Sequence, residues 1–352
     1  MTRLLRGEVT TSLRVAQVVC SEAFYGIERY ITTLANGLAE RGCGVIVVGG
    51  PAGRMPHELS ASVDAWHPAR GPLEAFSRLS RIGKVDVVHA HMTHAELAAT
   101  LARPFTHAHL VVTRHLPGHR GSTPAGRIAA IGIRPAIHLQ LACSAYVAAR
   151  VDGHCAVVLP GVPTRNSPPA PAREPVVLVL QRLEPAKDTV SALRAWASSG
   201  LGHRGWTLEV VGDGTERAAL ERLACELAIT GSCRFLGSSD AVSAHLDRAS
   251  ILLASAPHEP FGLSVVEAMA SGLPVVATAS AGHLENIGTC EGAMLFAPGD
   301  ADDAGQLLRE LAGDGARRAA YGRKLQTLQR ERFTADRQVE DTLTYYYSFV
   351  RG

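Results

Sequence analysis

Short apolar runs rich in β-branched residues alternate along this chain with longer stretches whose apolar positions recur at helical spacing. Val15–Cys20, Gly44–Val48, Val85–His89 and His109–Thr113 predict strands. Between the first two, Ile27–Arg41 places Ile31, Leu34, Ala35 and Leu38 on one stripe and predicts an amphipathic helix. A second series runs through Val176–Leu180, Leu208–Val211, Cys233–Leu236, Ile251–Ala254 and Pro274–Ala277. Such alternation predicts βαβ units, hence parallel sheets with helices on both faces. Between the two series lies PGVPTRNSPPAPAREP, Pro160 to Pro175, too rich in proline for a helix or a central strand, and read as an interdomain hinge.

The expected organisation is therefore two doubly wound domains, 1–165 and 166–332. A last segment, 333–352, has helical spacing through Tyr345-Tyr346-Tyr347 and is expected to return to the first domain. Open α/β sheets bind ligands at the C-terminal ends of their strands. Two such domains facing each other would put both sets of ends on one cleft. The loops after Cys20, His89 and Thr113, and after Leu180, Val211, Leu236 and Ala254, are where chemistry is expected.

Composition narrows the function. The chain has 352 residues, enough for two domains, with 46% hydrophobic and 19% charged residues. Lys+Arg number 35 against Asp+Glu 33, a net charge of +2, which argues against a nucleic-acid binder working by phosphate neutralisation. Seven scattered cysteines with no C-x-x-C pair read as buried thiols of a reducing compartment. Arg3, Arg6, Glu8 and Arg14 interrupt the N-terminus, so no signal-peptide core is expected, and no run reaches the ~18 apolar residues of a membrane span. The expected location is the cytoplasm.

The richest stretch is His258-Glu259-Pro260-Phe261-Gly262-Leu263-Ser264-Val265-Val266-Glu267, with seven residues between its two glutamates. Glu259 falls in a Pro/Gly loop after a strand, and Glu267 on a helix opened by Gly262-Leu263-Ser264. Free amides at a helix start suit phosphate oxygens, while a carboxylate there accepts hydrogen bonds from sugar hydroxyls. Upstream, Arg182 and Lys187 offer a forked donor and a point charge, both suited to anionic oxygens.

These motifs closely resemble the signature of the retaining family-4 glycosyltransferases, which have the GT-B fold. The resemblance extends over nearly the whole chain: Gln181-Arg182-Leu183-Glu184-Pro185-Ala186-Lys187, Val211-Gly212-Asp213-Gly214, Arg234-Phe235-Leu236-Gly237 and Ala297-Pro298-Gly299-Asp300 match family motifs. It implies a nucleotide diphosphate sugar as donor, most readily a UDP-sugar, held by the second domain. The first domain would hold a small-molecule or glycan acceptor. Arg182 and Lys187 would bind the diphosphate, Glu259 the donor sugar and Glu267 the ribose. Phe261, Gly262, Leu263 and Ser264 would offer backbone amides, and Phe235 and Leu236 would touch the base. His115 would touch the donor sugar, with His91 on the acceptor side. Two departures stand out: the family usually carries glycine where this chain has Gln181 and Asp188.

In the first domain, Phe24-Tyr25-Gly26 keeps one of the two adjacent glycines usual in the family, so close backbone approach is expected at Gly26 alone, with Tyr25 narrowing the acceptor entrance. His89-x-His91-x-x-His94 invites a zinc reading, but zinc wants further ligands in a closed geometry. No metal or other cofactor is expected. Asp300-Ala301-Asp302 precedes a helical stretch and reads as an N-cap. Gly212-Asp213-Gly214 is too short for a dinucleotide fingerprint. The alternatives are a sugar-nucleotide epimerase of the same build, a nicotinamide-dependent oxidoreductase, disfavoured without G-x-G-x-x-G, and a non-catalytic sugar-nucleotide binder.

Overall fold

The computed structural model describes residues 12–121, 124–165 and 173–350. The N-terminal eleven residues and 166–172 of the proline-rich segment lie outside the described residues. The chain divides into two compact units. One comprises Met1–Cys143, Val147–Val158 and Gln338–Gly352; the other comprises Ser144–Tyr146 and Leu159–Arg337.

The first unit is built on a seven-stranded sheet in which every pair is parallel. Its strands are β1 (Arg14–Val19), β2 (Gly44–Val48), β3 (Ala65–His67), β4 (Val87–His91), β5 (His109–Arg114), β6 (Ile137–Ala142) and β7 (Ala156–Val157), in the order β3-β2-β1-β4-β5-β6-β7. Side chains alternate between its two faces. Val15, Val45, Val47, Val87 and Val111 join the helix Gly26–Glu40 and, from the helix Ala335–Val350, Val339 and Tyr346. Ala16, Val18, Ile46, Val48, Val88 and Val112 face the helices Pro72–Leu79 and Thr93–Thr106 on the other side.

The second unit repeats the design with six parallel strands: β8 (Val176–Leu180), β9 (Thr207–Val211), β10 (Cys233–Gly237), β11 (Ile251–Ala254), β12 (Val275–Thr278) and β13 (Met294–Phe296), in the order β10-β9-β8-β11-β12-β13. In both sheets the winding reverses beside the first strand, between β1 and β4 and between β8 and β11. Loops diverge at such a switch point and leave a crevice for ligand. The doubly wound α/β architecture expected from the sequence is present in each unit.

Boundaries differ in places. β4 runs to His91 rather than stopping at His89, so both histidines lie within the strand. Gly212-Asp213-Gly214 is explained by packing: a Cβ at Gly212 would lie 1.9 Å from the Gln181 carbonyl oxygen, and one at Gly214 would lie 2.4 Å from that of Leu183. The loops after β8 and β9 are thereby pressed together, with Leu183 N–H donating to the Asp213 carbonyl at 2.9 Å.

Candidate functional site

At the switch point of the second unit, two loops meet. The loop after β8 turns through Pro185–Lys187 into the helix Thr189–Ser199; the loop after β11 leads to the helix Leu263–Ala270. Lys187 Nζ donates to Glu259 Oε2 at 2.5 Å, with both side chains mostly buried. Gln181 fixes this geometry. Its Nε2 donates to the Lys187 carbonyl at 3.0 Å and to Thr189 Oγ1 at 3.0 Å, and Ser255 Oγ donates to the same carbonyl at 3.1 Å. Asp188 adopts φ +47, a conformation that glycine takes at no steric cost. Its carboxylate recovers part of that cost by capping the helix, accepting from Ser191 N–H at 3.2 Å and Ser191 Oγ at 2.6 Å. The two residues that replace family glycines thus brace the loop that presents Lys187.

The Glu259–Gly262 turn is held from behind. Gly282 N–H donates to the Glu259 carbonyl at 2.9 Å, and Asn286 Nδ2 donates to the Phe261 carbonyl at 2.5 Å. Gly262 sits at φ +91, and a Cβ there would meet Asn286, Glu259 and His283 at 3.2 to 3.3 Å, so both backbone and space require glycine. His283 is buried beside this turn, bonded through Nδ1 to Thr278 Oγ1 at 2.9 Å, and burial lowers its pKa to about 4. The Phe261 ring points into the core against Phe333, ring centroids 5.9 Å apart, leaving only its backbone for a ligand. Leu263, Ser264 and Glu267 share the half-buried stripe of the helix, at i, i+1 and i+4.

Arg182 is exposed in the loop after β8. Phe235 and Leu236 lie at the end of the edge strand β10, two strands and about 10 Å from β8. A register shift between Phe235 and Gly237 leaves Leu236 turned out to solvent.

In the first unit, the C-terminal ends of β1, β4 and β5 carry a buried polar network. His91 Nε2 donates to Gln17 Oε1 at 2.8 Å, which leaves His91 Nδ1 to accept from His115 Nε2 at 3.0 Å. Gln17 Nε2 donates to Tyr346 Oη at 3.4 Å; the tyrosine hydroxyl donates to His89 Nδ1 at 2.6 Å, and His89 Nε2 to Thr113 Oγ1 at 2.7 Å. Every bond in this chain is satisfied with all three imidazoles neutral. Burial enforces that state, lowering His89 and His115 to about 3 and His91 well below its ordinary value. Tyr30 stacks edge-on to His91 and His115, with centroids 5.7 and 4.8 Å away.

His91, expected to line the acceptor side, instead has no exposed surface and both ring nitrogens engaged. Its neighbour Gln17, not named as a site residue from the sequence, claims it. His91 holds His115, which keeps a little exposure at the end of β5. Gly26 opens its helix with an ordinary φ and nothing within 4 Å of a built Cβ, so the fold itself makes no demand for glycine there. Tyr25 is exposed beside it, its N–H donating to Glu28 Oε2 at 2.8 Å. Asp300 caps the helix Ala301–Gly313 through a bond from Asp303 N–H at 3.0 Å. Among the described residues no group of three His, Cys, Asp or Glu side chains could hold a metal ion.

Comparison with known proteins follows this division. Residues 24–165 match the family described as Glycosyltransferase Family 4, and residues 163–327 match Glycosyl transferases group 1. The chain belongs to glycosyltransferase family 4. It is 33% identical over 150 residues to the exopolysaccharide phosphotransferase SCO2592 of Streptomyces coelicolor, a match covering 42% of this chain and 16% of that one. It is 28% identical over 341 residues to glycogen synthase of Mycobacterium tuberculosis, covering 86% of this chain and 80% of the relative. Several other curated relatives are matched over less than half of their own length. The Anabaena protein Alr3699/HepE, solved in complex with UDP-glucose, superposes with a TM-score of 0.79 at 19% identity, covering 95% of this chain and all of that one. The family's two-unit GT-B fold is this chain's fold.

Proposed function

We propose that the chain transfers a sugar from a nucleotide diphosphate donor, a UDP-sugar, to an acceptor hydroxyl with retention at the anomeric carbon. The observation that carries this reading is the Lys187–Glu259 ion pair, set at the switch point of the second unit beside the glycine-opened helix Leu263–Ala270. When the donor diphosphate enters, its oxygens compete for Lys187 and release Glu259 to accept hydrogen bonds from the sugar hydroxyls. The amides of Leu263 and Ser264 take further phosphate oxygens, Glu267 the ribose, Arg182 the diphosphate, and Phe235 with Leu236 the base.

In the reaction the bond from the anomeric carbon to the diphosphate oxygen breaks, and the acceptor oxygen bonds to the same face of that carbon. The departing phosphate oxygen takes the acceptor proton. Lys187 and Arg182 meet the growing negative charge, work that in other enzymes a metal ion performs. Among relatives, HepE was solved with UDP-glucose and LpsE of Rhizobium meliloti is named for lipopolysaccharide core biosynthesis, which supports UDP and a bacterial envelope glycan or metabolite as acceptor. Thermal shift with UDP, GDP and ADP tests the donor assignment. UDP should raise the midpoint most, because a ligand that binds only the folded chain stabilises it in proportion to ln(1 + [L]/Kd). No shift with any of the three would contradict it.

A further inference from the structure

We propose that His283 binds the donor sugar, its Nε2 accepting a hydrogen bond from a sugar hydroxyl other than those held by Glu259. This rests on the donor reading above and adds a residue to it. Gly282 brings the imidazole to the site. A Cβ on Gly282 would lie 2.4 Å from the Phe261 Cα, so the helix Ala281–Glu285 packs its backbone directly on the Glu259–Gly262 turn. Around the point that a Cβ on Gly262 would occupy, Glu259 Cγ and His283 Cδ2 each lie 3.3 Å away and Asn286 Nδ2 lies 3.2 Å away. Glu259 and His283 therefore border the same space, where the helix Leu263–Ala270 opens.

Hydrogen bonding decides which nitrogen is free. Thr278 Oγ1 donates its one proton to the Ala256 carbonyl at 2.6 Å, so toward His283 Nδ1 it can only accept. The imidazole is therefore protonated on Nδ1, and Nε2 carries a lone pair. Among the described residues no group pairs with that nitrogen, whereas both nitrogens of His89 and of His91 are engaged. His283 is only 1% exposed, yet Nε2 is not among the sealed unpaired atoms of the interior, so this nitrogen reaches open space. Burial keeps the ring neutral, and both charges of the ion pair act on it, Glu259 raising its pKa and Lys187 lowering it. A buried acceptor without a partner costs stability that an apolar side chain of the same shape would not. The lone pair also selects its ligand. A neutral acceptor repels phosphate oxygens, which leaves the diphosphate to Lys187 and the helix amides and a hydroxyl to His283. Glu259 is an acceptor too, and a hydroxyl has one proton to give, so the two side chains take different hydroxyls of one sugar.

Isothermal titration calorimetry of the full chain tests the proposal, with UDP and with whichever of UDP-glucose, UDP-galactose and UDP-N-acetylglucosamine binds tightest. His283→Asn keeps a donor for Thr278 but has no atom at the place of Nε2. It should weaken the UDP-sugar by about tenfold while UDP, which carries no sugar, binds as before. His283→Gln sets an amide oxygen near that place and should recover most of the loss. Unchanged affinity of His283→Asn for the UDP-sugar would overturn the proposal, as would equal weakening of both ligands, which is what a merely structural role would produce. Nitrogen NMR of the wild-type imidazoles gives a second reading that no variant's folding affects. His283 should be protonated on Nδ1, and the UDP-sugar, unlike UDP, should shift its bare Nε2. A proton on Nε2, or a resonance indifferent to the sugar, would overturn the proposal while leaving the donor reading intact. Binding of neither UDP nor any UDP-sugar would overturn both.

Discussion

Lys187 and Glu259, 72 positions apart, form a 2.5 Å ion pair between the loops that leave the adjacent strands β8 and β11. Each loop contributes one of the two charges, and Gln181 and Ser255 hold the Lys187 backbone in place for the pairing. On the proposed reading, a nucleotide diphosphate entering here would displace Glu259 from Lys187 and leave that carboxylate to the sugar hydroxyls.

The roles assigned to these residues separate kinetically. Lys187→Ala removes charge stabilisation that grows as the diphosphate departs, and should lower kcat by about 10²-fold if the cation contributes ~3 kcal/mol at the transition state. Glu267→Ala removes contacts to ribose, which are the same in ground and transition states, and should raise the donor KM with kcat largely kept. Glu259→Ala should affect both. Steady-state kinetics of the three variants would contradict the placement if Lys187→Ala kept its kcat while Glu267→Ala lost it.

The buried imidazoles make stability depend on pH. His89, His115 and His283 have folded-state values of about 3, 3 and 4, against about 6.5 in an unfolded chain. The unfolded chain therefore binds more protons below pH 6.5, and stability falls as pH falls from there toward 4. Above 6.5 the contribution is complete and flat. Each histidine should cost about 1.4 kcal/mol per pH unit within that window. Urea unfolding at pH 7.5, 6 and 5 reads the slope, and His283→Asn should make it shallower; a stability constant from 7.5 to 5 would refute the neutral network.

Two glycines should respond oppositely. Gly262→Ala places a Cβ at φ +91 within 3.2 Å of Asn286 and should lower stability by about 1–3 kcal/mol. Gly26→Ala meets open space at a helix start and should leave stability unchanged or slightly raised. If ligand approaches the backbone there, the same variant raises a substrate KM. Calorimetry and kinetics on the two proteins test this; a Gly26→Ala chain of unchanged KM would remove Gly26 from the site.

Because Arg182 and Lys187 are assigned the charge of the departing diphosphate, turnover should survive excess EDTA. Activity lost to the chelator and restored by magnesium or manganese would reassign that work to a metal.

The strands most legible in the sequence were those whose apolar runs are bounded by turn residues: Gly44–Val48, Val176–Leu180 and Ile251–Ala254 have the same limits in the structure. β6 escaped because His138 and Gln140 break its apolar run, and Gln140 is buried by accepting from Arg120 Nη2 and donating to the Asp152 carbonyl, both at 2.6 Å. The second-unit residues could be named in advance because they fall in one contiguous motif. Gln17, Thr113 and Tyr346 could not, since they are brought together by two separate strands and a helix more than 200 positions downstream. A lone glutamine inside the apolar run of β1 was the one visible signal, because a buried amide needs partners.

The central claim is tested most directly without knowing the acceptor. Incubated with UDP-sugars in water, a retaining transferase slowly passes the sugar to water, and time-resolved proton NMR reads which anomer appears first, before mutarotation mixes the two. The chain should release UDP together with a free sugar of the donor's own anomeric configuration, and Lys187→Ala should slow that release by about 10²-fold. First appearance of the opposite anomer, or release unaffected by Lys187→Ala, would contradict the account.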